Sequence, residues 1–208
     1  MSNVWGSFKA AAGKAGVATK IAGQKTKLNA EIALLDRNLK QRKQDFGVEM
    51  YDHISPLTTS EGFYTSDDKL TKTLQPPLVT AQREASALLS KRADIEGQIE
   101  RVNEKRQNAF RSPAQTFGDK MKNAGKSASM AGSEAKLQTE LAVCDTKLKY
   151  VKQQFGLELY GIFEEMEDKE GWLPTDRSMR GIYDRARADC EKFNVKKRNK
   201  QKELEALG

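Results

Sequence analysis

The chain has little of the chemistry that most enzymes and metal sites need. Its 208 residues include one histidine, His53, and two cysteines, Cys144 and Cys190, and none of these stands at metal-ligand spacing from another. No glycine-rich phosphate loop follows a strand pattern, and no motif sets two carboxylates in an apolar cleft. We therefore expect no enzyme activity, no metal, no other cofactor and no small-molecule substrate.

Long hydrophobic runs are also missing. A membrane-spanning helix needs about 18 consecutive apolar residues, and no run in the chain approaches that length. The opening MSNVWGSFKAAAGKAG lacks the apolar stretch of a secretory signal. Two cysteines without a disulfide framework are typical of a reducing compartment. These features predict an intracellular protein, cytoplasmic or peripherally membrane-bound, that is not secreted and has no transmembrane segment.

Acidic residues are absent from the first 30 positions. That stretch contains five lysines and supplies +5 of the net charge of +7. The rest of the chain is nearly balanced, which is the usual pattern of solvated helices. The excess positive charge is therefore a local feature of the N-terminal segment.

The most informative feature of the chain is an internal sequence repeat. QDFGVEMYDHI at 44–54 recurs as QQFGLELYGIF at 153–163, and an offset of 109 aligns 8–54 with 117–163 at 18 identical positions of 47. A period of about 110 residues is too long for a solenoid repeat and suits a small domain. We interpret the chain as an internal duplication with repeat units 1–110 and 111–208.

Each copy carries a heptad-like apolar stripe, which predicts a long amphipathic helix. Arg42 interrupts the stripe of copy one. Two such helices joined by a short loop can cover their stripes against each other. The predicted fold is therefore all-α, with two tandem antiparallel helical hairpins, each preceded by a short amphipathic Ala/Gly/Lys-rich helix. In copy two the stripe consists of Leu137, Leu141, Cys144, Leu148, Val151, Phe155, Leu159 and Ile162.

The repeat gives bounds for these elements. Pro76 and Pro77 predict that the first return helix restarts at Leu78, and Thr175 is placed to cap the second return helix. In copy one we expect the amphipathic segment at 3–23, the first helix at about 25–54, the tip loop at 55–66 and the return helix at about 67–110. In copy two the same parts are expected at 114–132, about 133–166, 167–175 and about 176–207.

The repeated FGxExY motif allows two interpretations. In one, its aromatic rings fill the helical seam, and Gly47 and Gly156 let a neighbouring backbone approach closely. In the other, exposed aromatic anchors near the hairpin tips dock a protein partner. The docking candidates are Phe46, Tyr51, Phe63, Tyr64, Phe155, Tyr160 and Trp172.

The two Ala/Gly/Lys segments place small and bulky apolar residues on one arc of a helical wheel, with lysines beside it. A basic amphipathic helix of this kind is typical of a membrane surface. The alternatives are that each segment packs on its own hairpin as a third helix or acts as a flexible tether. The membrane-contact candidates are Val4, Trp5, Phe8, Lys9, Lys14, Lys20, Phe117, Lys120, Met121, Lys122 and Lys126.

A basic amphipathic segment followed by a helical hairpin resembles the general layout of membrane-sculpting proteins such as the N-BAR and ESCRT-III-like families, which have one hairpin where this chain has two. We expect a non-enzymatic scaffold that binds anionic lipid surfaces and can self-assemble as a homo-oligomer through its hairpins. The alternative is a coiled-coil adaptor or filament-associated protein for a periodic protein partner. Nucleic acid is disfavoured as a partner, because the basic stretches lack arginine clusters and interleaved aromatic residues.

Overall fold

The computed structural model describes the backbone of residues 3–57, 68–111 and 117–207. Within these ranges the chain forms four α-helices and no strand, so the all-α prediction is confirmed. A short 3-10 turn, Ser55–Leu57, follows the first helix. The helices are α1 (Asn3–Ile54), α2 (Asp68–Arg111), α3 (Phe117–Glu170) and α4 (Arg177–Glu205).

The Ala/Gly/Lys segments are not separate short helices. The segment at 3–23 is the beginning of α1, a helix of 52 residues, and the part of the second segment from Phe117 onward is the beginning of α3, a helix of 54 residues. No proline separates either segment from the seam that follows, and alanine and lysine are good helix formers. The seam helices therefore continue toward their N-termini through the lysine-rich stretches.

Helix α2 passes through two prolines. It begins at Asp68, so the predicted restart at Leu78 does not occur. A proline in a helix interior costs about 3 kcal/mol. Leu70, Leu74 and Leu78 are almost completely buried, and burying each leucine contributes about 2–3 kcal/mol. Burial on both sides of the prolines therefore offsets the lost backbone hydrogen bonds.

The connection from α3 to α4 is defined by its caps. Gly171 adopts a φ of 63°, a left-handed conformation that suits glycine, and its N–H donates to the carbonyl of Glu167 at 2.9 Å. The N-cap of α4 is Asp176 and not the predicted Thr175. A side-chain oxygen of Asp176 accepts a hydrogen bond from the N–H of Met179 at 2.8 Å. Met179 lies three residues after the cap, in the first turn of the helix, where backbone N–H groups have no partner within the helix.

The first compact unit, called the α1–α4 unit below, contains α1 as far as Phe46 and the chain from Leu173 onward. The ring of Phe46 meets the ring of Tyr183 edge-on, with centroids 6.1 Å apart. Ion pairs continue this antiparallel contact toward the end of α4: Arg42–Asp189 at 3.1 Å, Asp36–Lys197 at 2.6 Å and Glu31–Lys200 at 3.2 Å.

The second compact unit, called the α2–α3 unit, runs from Gly47 to Trp172. It contains the last residues of α1 together with α2 and α3, which pack antiparallel. Ion pairs again mark the register: Lys69 with Glu170 near the start of α2, Arg92–Asp145 at 3.0 Å and Arg106–Glu134 at 2.8 Å.

The helix pairing differs from the tandem hairpins, which the structure does not confirm. The described contacts join α1, as far as Phe46, to α4, and they join α2 to α3, so each first helix packs on the return helix of the other copy. The apolar seams have the same period in all the helices and therefore do not determine which helices pair, whereas charged residues beside a seam can determine it. The positions of α2 that correspond by the repeat to Lys197 and Asp189 are Leu88 and Thr80, which cannot form these ion pairs.

The buried positions follow the repeat. Neither Cys144 nor Cys190 forms a disulfide, and each is a small buried side chain in its unit. Several pairs of positions related by the offset are less than one-tenth exposed in both copies: Phe46/Phe155, Met50/Leu159, Tyr51/Tyr160, Ile54/Phe163, Leu70/Met179, Leu74/Tyr183 and Ala81/Cys190.

Candidate functional site

The N-terminal part of α3 presents its apolar arc to the outside. Met121 is 66% exposed, and Ala124, Ala128 and Ala131 on the same arc are also exposed. Lys126 beside them is exposed as well. The chain therefore does not cover the described part of this arc, which leaves it available to an external surface.

The N-terminal part of α1 extends from Gln24 back to Asn3. Gln24 lines a groove between α1 and α4, and this extension of the helix is about 30 Å long at 1.5 Å per residue. Lys20 lies on this extension and is exposed. The side chains of Val4, Trp5, Phe8, Lys9 and Lys14 lie outside the described residues, as do those of Phe117, Lys120 and Lys122 in α3.

The repeated motif brings α1 and α3 into close contact in the α2–α3 unit. A β-carbon on Gly47 would overlap the Cα of Gly156 and would lie 2.5 Å from the carbonyl oxygen of Lys152. Two backbones can approach to this distance only where side chains are absent. The predicted role of Gly47 in a close backbone approach is confirmed.

Four of the docking candidates are interior residues. Phe46, Tyr51, Phe155 and Tyr160 are at most 6% exposed, so they pack within the helical seams and offer no surface to a partner. This burial corrects the docking hypothesis for these four and favours the seam interpretation. Phe63 and Tyr64 lie outside the described residues.

Trp172 contacts its own unit. Its ring is half-buried and meets Phe163 edge-on at 6.2 Å between centroids, and the ammonium of Lys69 lies 5.6 Å from the indole centre. A cation over an indole is a favourable contact of about 0.5–1 kcal/mol at an exposed site. The described contacts of Trp172 therefore hold its ring between the end of α3 and the beginning of α2.

Tyr51 has a similar cation above its ring. Lys152 lies 5.3 Å from the centre of the Tyr51 ring and pairs with Asp52 at 2.5 Å, while Phe155 packs edge-on against the ring at 5.8 Å. Burial raises the pKa of the Tyr51 phenol, a hydrogen bond with Ser55 opposes this shift, and the charge of Asp52 adds to it. The phenol of Tyr51 is therefore neutral, and its contacts with Lys152 and Phe155 are those of a packed interior residue.

Two surface grooves begin at repeat-equivalent positions of α1 and α3. Lys27, Leu28 and Glu31 of the α1–α4 groove correspond to Lys136, Leu137 and Glu140 of the α2–α3 groove. The grooves have volumes of about 410 and 430 Å³. The α1–α4 groove is lined by Gln24, Lys27, Leu28, Glu31, Lys200, Glu203, Ala206 and Leu207. The α2–α3 groove is lined by Gln98, Arg101, Val102, Lys105, Ser133, Lys136, Leu137 and Glu140.

Sequence reasoning did not predict these grooves. The signal was present, because the Lys-Leu-x-x-Glu stretch at 27–31 is kept at 136–140. It could not be interpreted without the helix pairing, since the opposite wall of each groove comes from the return helix of the other copy.

Comparisons with known proteins add no relative: no family model matches the chain, and neither a curated protein nor a solved structure matches it. None of the described helices has the length and apolar character needed to cross a membrane. Among the described residues, no three His, Cys, Asp or Glu side chains come together as a set that could hold a metal ion. The fold is all-α, with four helices in the described ranges and buried positions related by the repeat.

Proposed function

We propose that this protein binds anionic membrane surfaces through the segments 3–23 and 114–132, which include the N-terminal parts of α1 and α3, and that its helix pairs serve as a scaffold. The observation that carries the proposal is the exposed arc of α3, where Met121 and three alanines lie beside Lys126 with no covering helix from the described chain. An apolar arc flanked by lysines fits the boundary between lipid headgroups and acyl chains.

The energetics suit reversible binding. Each lysine near an anionic leaflet contributes about 1 kcal/mol, and burying a large side chain such as Trp5 or Phe8 contributes about 2–3 kcal/mol. The first acidic residue of the chain, Glu31, pairs with Lys200 and so does not oppose the lysines that precede it. Two segments in one chain add avidity when both reach the same surface.

The test is co-sedimentation with vesicles of neutral lipid alone and of neutral lipid with phosphatidylserine. We expect binding to the anionic vesicles, a marked loss in Met121→Asp, and a further loss when Lys9, Lys14 and Lys20 are all changed to Gln. Leu89→Asp is the matched control, because Leu89 is an exposed apolar residue of a return helix, 48% exposed. Equal sedimentation of every variant with both vesicle types would refute the proposal.

The second candidate function is a coiled-coil adaptor for a periodic protein partner, with self-association as its simplest form. Leu34 and Val143 favour it, because they are repeat-equivalent and both about half exposed, at 54% and 48%. Each copy thus presents an apolar residue at the same position. If no vesicle binds and the Leu34→Asp/Val143→Asp variant abolishes self-association in sedimentation velocity, the adaptor is the better description.

A further inference from the structure

The α1–α4 and α2–α3 grooves differ in charge. The α1–α4 groove is lined by two cations and two carboxylates, whereas the α2–α3 groove is lined by three cations and one carboxylate. The net charge of the side chains is therefore zero in the first and +2 in the second. The α1 and α3 walls each carry one lysine and one glutamate, so the whole charge difference comes from the return helices.

The cations of the α1–α4 groove are already paired. Lys200 lies 3.1 Å from Glu203 and 3.2 Å from Glu31, and Lys27 lies 3.9 Å from Glu31. Hydrogen bonds with Glu203 and Glu31 raise the pKa of the Lys200 ammonium. This groove therefore has little remaining attraction for an anion.

In the described part of the chain, the cations of the α2–α3 groove have no such partners. No ion pair joins Lys105 or Lys136 to a carboxylate among the described residues, although Glu140 lies four residues from Lys136, as Glu31 does from Lys27. Arg101 uses its Nε–H for the carbonyl of Gly97 at 3.0 Å, and no carboxylate within ion-pair distance is described for its guanidinium. Positive groups from both helix walls thus border one open groove.

The geometry points to a binding site for a small polyphosphorylated group in the α2–α3 groove. A phosphate monoester carries nearly two negative charges and three strong acceptor oxygens, and lysine and arginine are its usual protein partners. The side-chain amide of Gln98 is a further donor in the lining, whereas the hydroxyl of Ser133 donates to the carbonyl of Ser129 at 3.1 Å. Val102 and Leu137 are half-buried apolar positions that suit the carbon skeleton of such a ligand. A volume of about 430 Å³ is in the range of small-molecule sites.

This site lies outside 114–132 and does not rest on the membrane proposal. The phosphate groups can belong to a free polyphosphate or to a lipid headgroup, and the chemistry of recognition is the same. A nucleic acid is a different partner, because its phosphodiesters carry one charge each and are spread along a backbone. The described lining of the groove includes no aromatic side chain on which bases could stack.

The experiment is titration calorimetry of the full chain with inositol hexakisphosphate, beside co-sedimentation with vesicles containing phosphatidylinositol bisphosphate or an equal charge of phosphatidylserine. We expect Lys105→Gln and Lys136→Gln each to raise the Kd about tenfold, as for the loss of one charge-assisted hydrogen bond. The matched control, Lys27→Gln, should change it less than about twofold. Glu140→Gln should tighten binding several-fold, an effect that structural damage cannot mimic.

Binding of the soluble probe alone assigns the site to a free polyphosphate, and binding only of the phosphoinositide vesicles assigns it to a headgroup; either supports the site. Equal losses in Lys27→Gln and Lys136→Gln, or tighter binding of a DNA duplex than of the polyphosphate, would overturn it. The change of Lys9, Lys14 and Lys20 to Gln leaves this groove intact. Its effect on vesicle binding therefore tests the membrane proposal separately.

Discussion

Gly47 and Gly156 are repeat-equivalent residues whose backbones meet, so that a β-carbon on Gly47 would overlap the Cα of Gly156. The neighbour is backbone and cannot rotate away. We expect Gly47→Ala to lower the free energy of unfolding by about 1–3 kcal/mol, as overpacking does, or to prevent folding. Urea denaturation followed by circular dichroism measures this change.

Gly161→Ala is the control for that substitution. Gly161 lies inside α3, as Gly47 lies inside α1, but a β-carbon on Gly161 would meet nothing within 4 Å. Replacing glycine by alanine in an open helix position stabilises by about 0.5–1 kcal/mol. If both substitutions stabilise, the close approach of Gly47 to Gly156 does not exist in solution.

Phe46 distinguishes seam packing from docking. Its side chain is fully buried and packs against Tyr183, so we expect Phe46→Ala to cost about 3–5 kcal/mol of unfolding free energy. Leu34→Ala, at a position 54% exposed, should cost much less. A variant of Phe46 that unfolds at the wild-type urea concentration would contradict the burial.

Asp189 makes stability depend on acid pH. Hydrogen bonds with Lys192 and then Arg42 lower the pKa of its carboxyl below the ordinary 3.8. A carboxylate with a lowered folded pKa contributes stability above its unfolded pKa and loses it as the pH falls through the folded pKa. We therefore expect the wild type to lose more stability between pH 7 and pH 3 than Asp189→Asn does.

The measurement is the urea midpoint at several pH values. Asp94→Asn serves as a control, because Asp94 is an exposed carboxylate of α2 that forms no ion pair with the described residues. Its acid response should match that of the wild type. Identical pH profiles for Asp189→Asn and the wild type would show that neither Lys192 nor Arg42 stabilises the Asp189 carboxylate.

Asp176 caps α4 through the N–H of Met179. We expect Asp176→Ala to lower the unfolding free energy by about 1 kcal/mol, whereas Asp176→Asn, which keeps a capping oxygen, should lower it by less. Thermal melts followed at 222 nm give the comparison. Equal melts for all three proteins would place the cap elsewhere.

The two thiols report the two units separately. Cys190 belongs to the α1–α4 unit and Cys144 to the α2–α3 unit, and both are at most 3% exposed. We expect each to resist labelling by a maleimide in native buffer and to react fully in urea. Single-cysteine variants then show whether the units open together, and rapid native labelling of either thiol would contradict its burial.

The sequence predicted the all-α class and the ends of the return helices, but it did not predict that the first helices continue through the lysine-rich segments, nor how the helices pair. The heptad spacing of the seam and the repeat offset predict helical bounds at 67–110 and 176–207, close to the observed Asp68–Arg111 and Arg177–Glu205. Hydrophobic periodicity says which face of a helix is buried, yet it is the same for every helix of a duplicated chain. Arg42 was the residue that could have indicated the pairing, because an arginine in an apolar seam needs an acidic residue on the partner helix.

The candidate sites show the same division. The lysine-rich stretches and the close approach at Gly47 are visible in the sequence, because they depend on local composition and on one repeated motif. The α2–α3 groove is not visible, because Lys105 and Lys136 become neighbours only through pairing across two helices. The burial of Tyr51 likewise could not be predicted from the sequence, because an aromatic residue near a helix end is equally compatible with a core and with a surface.

The pairing of α1 with α4 also has a consequence for the order of folding during synthesis. About 130 residues separate Phe46 from the start of α4, so at 5–20 residues per second a ribosome needs roughly 7 to 26 s to supply the partner of α1. During this interval the nascent chain holds an uncovered apolar seam, while α2 and α3 can already close on each other. The yield of folded protein is therefore expected to depend on translation speed and on chaperones that shield this seam.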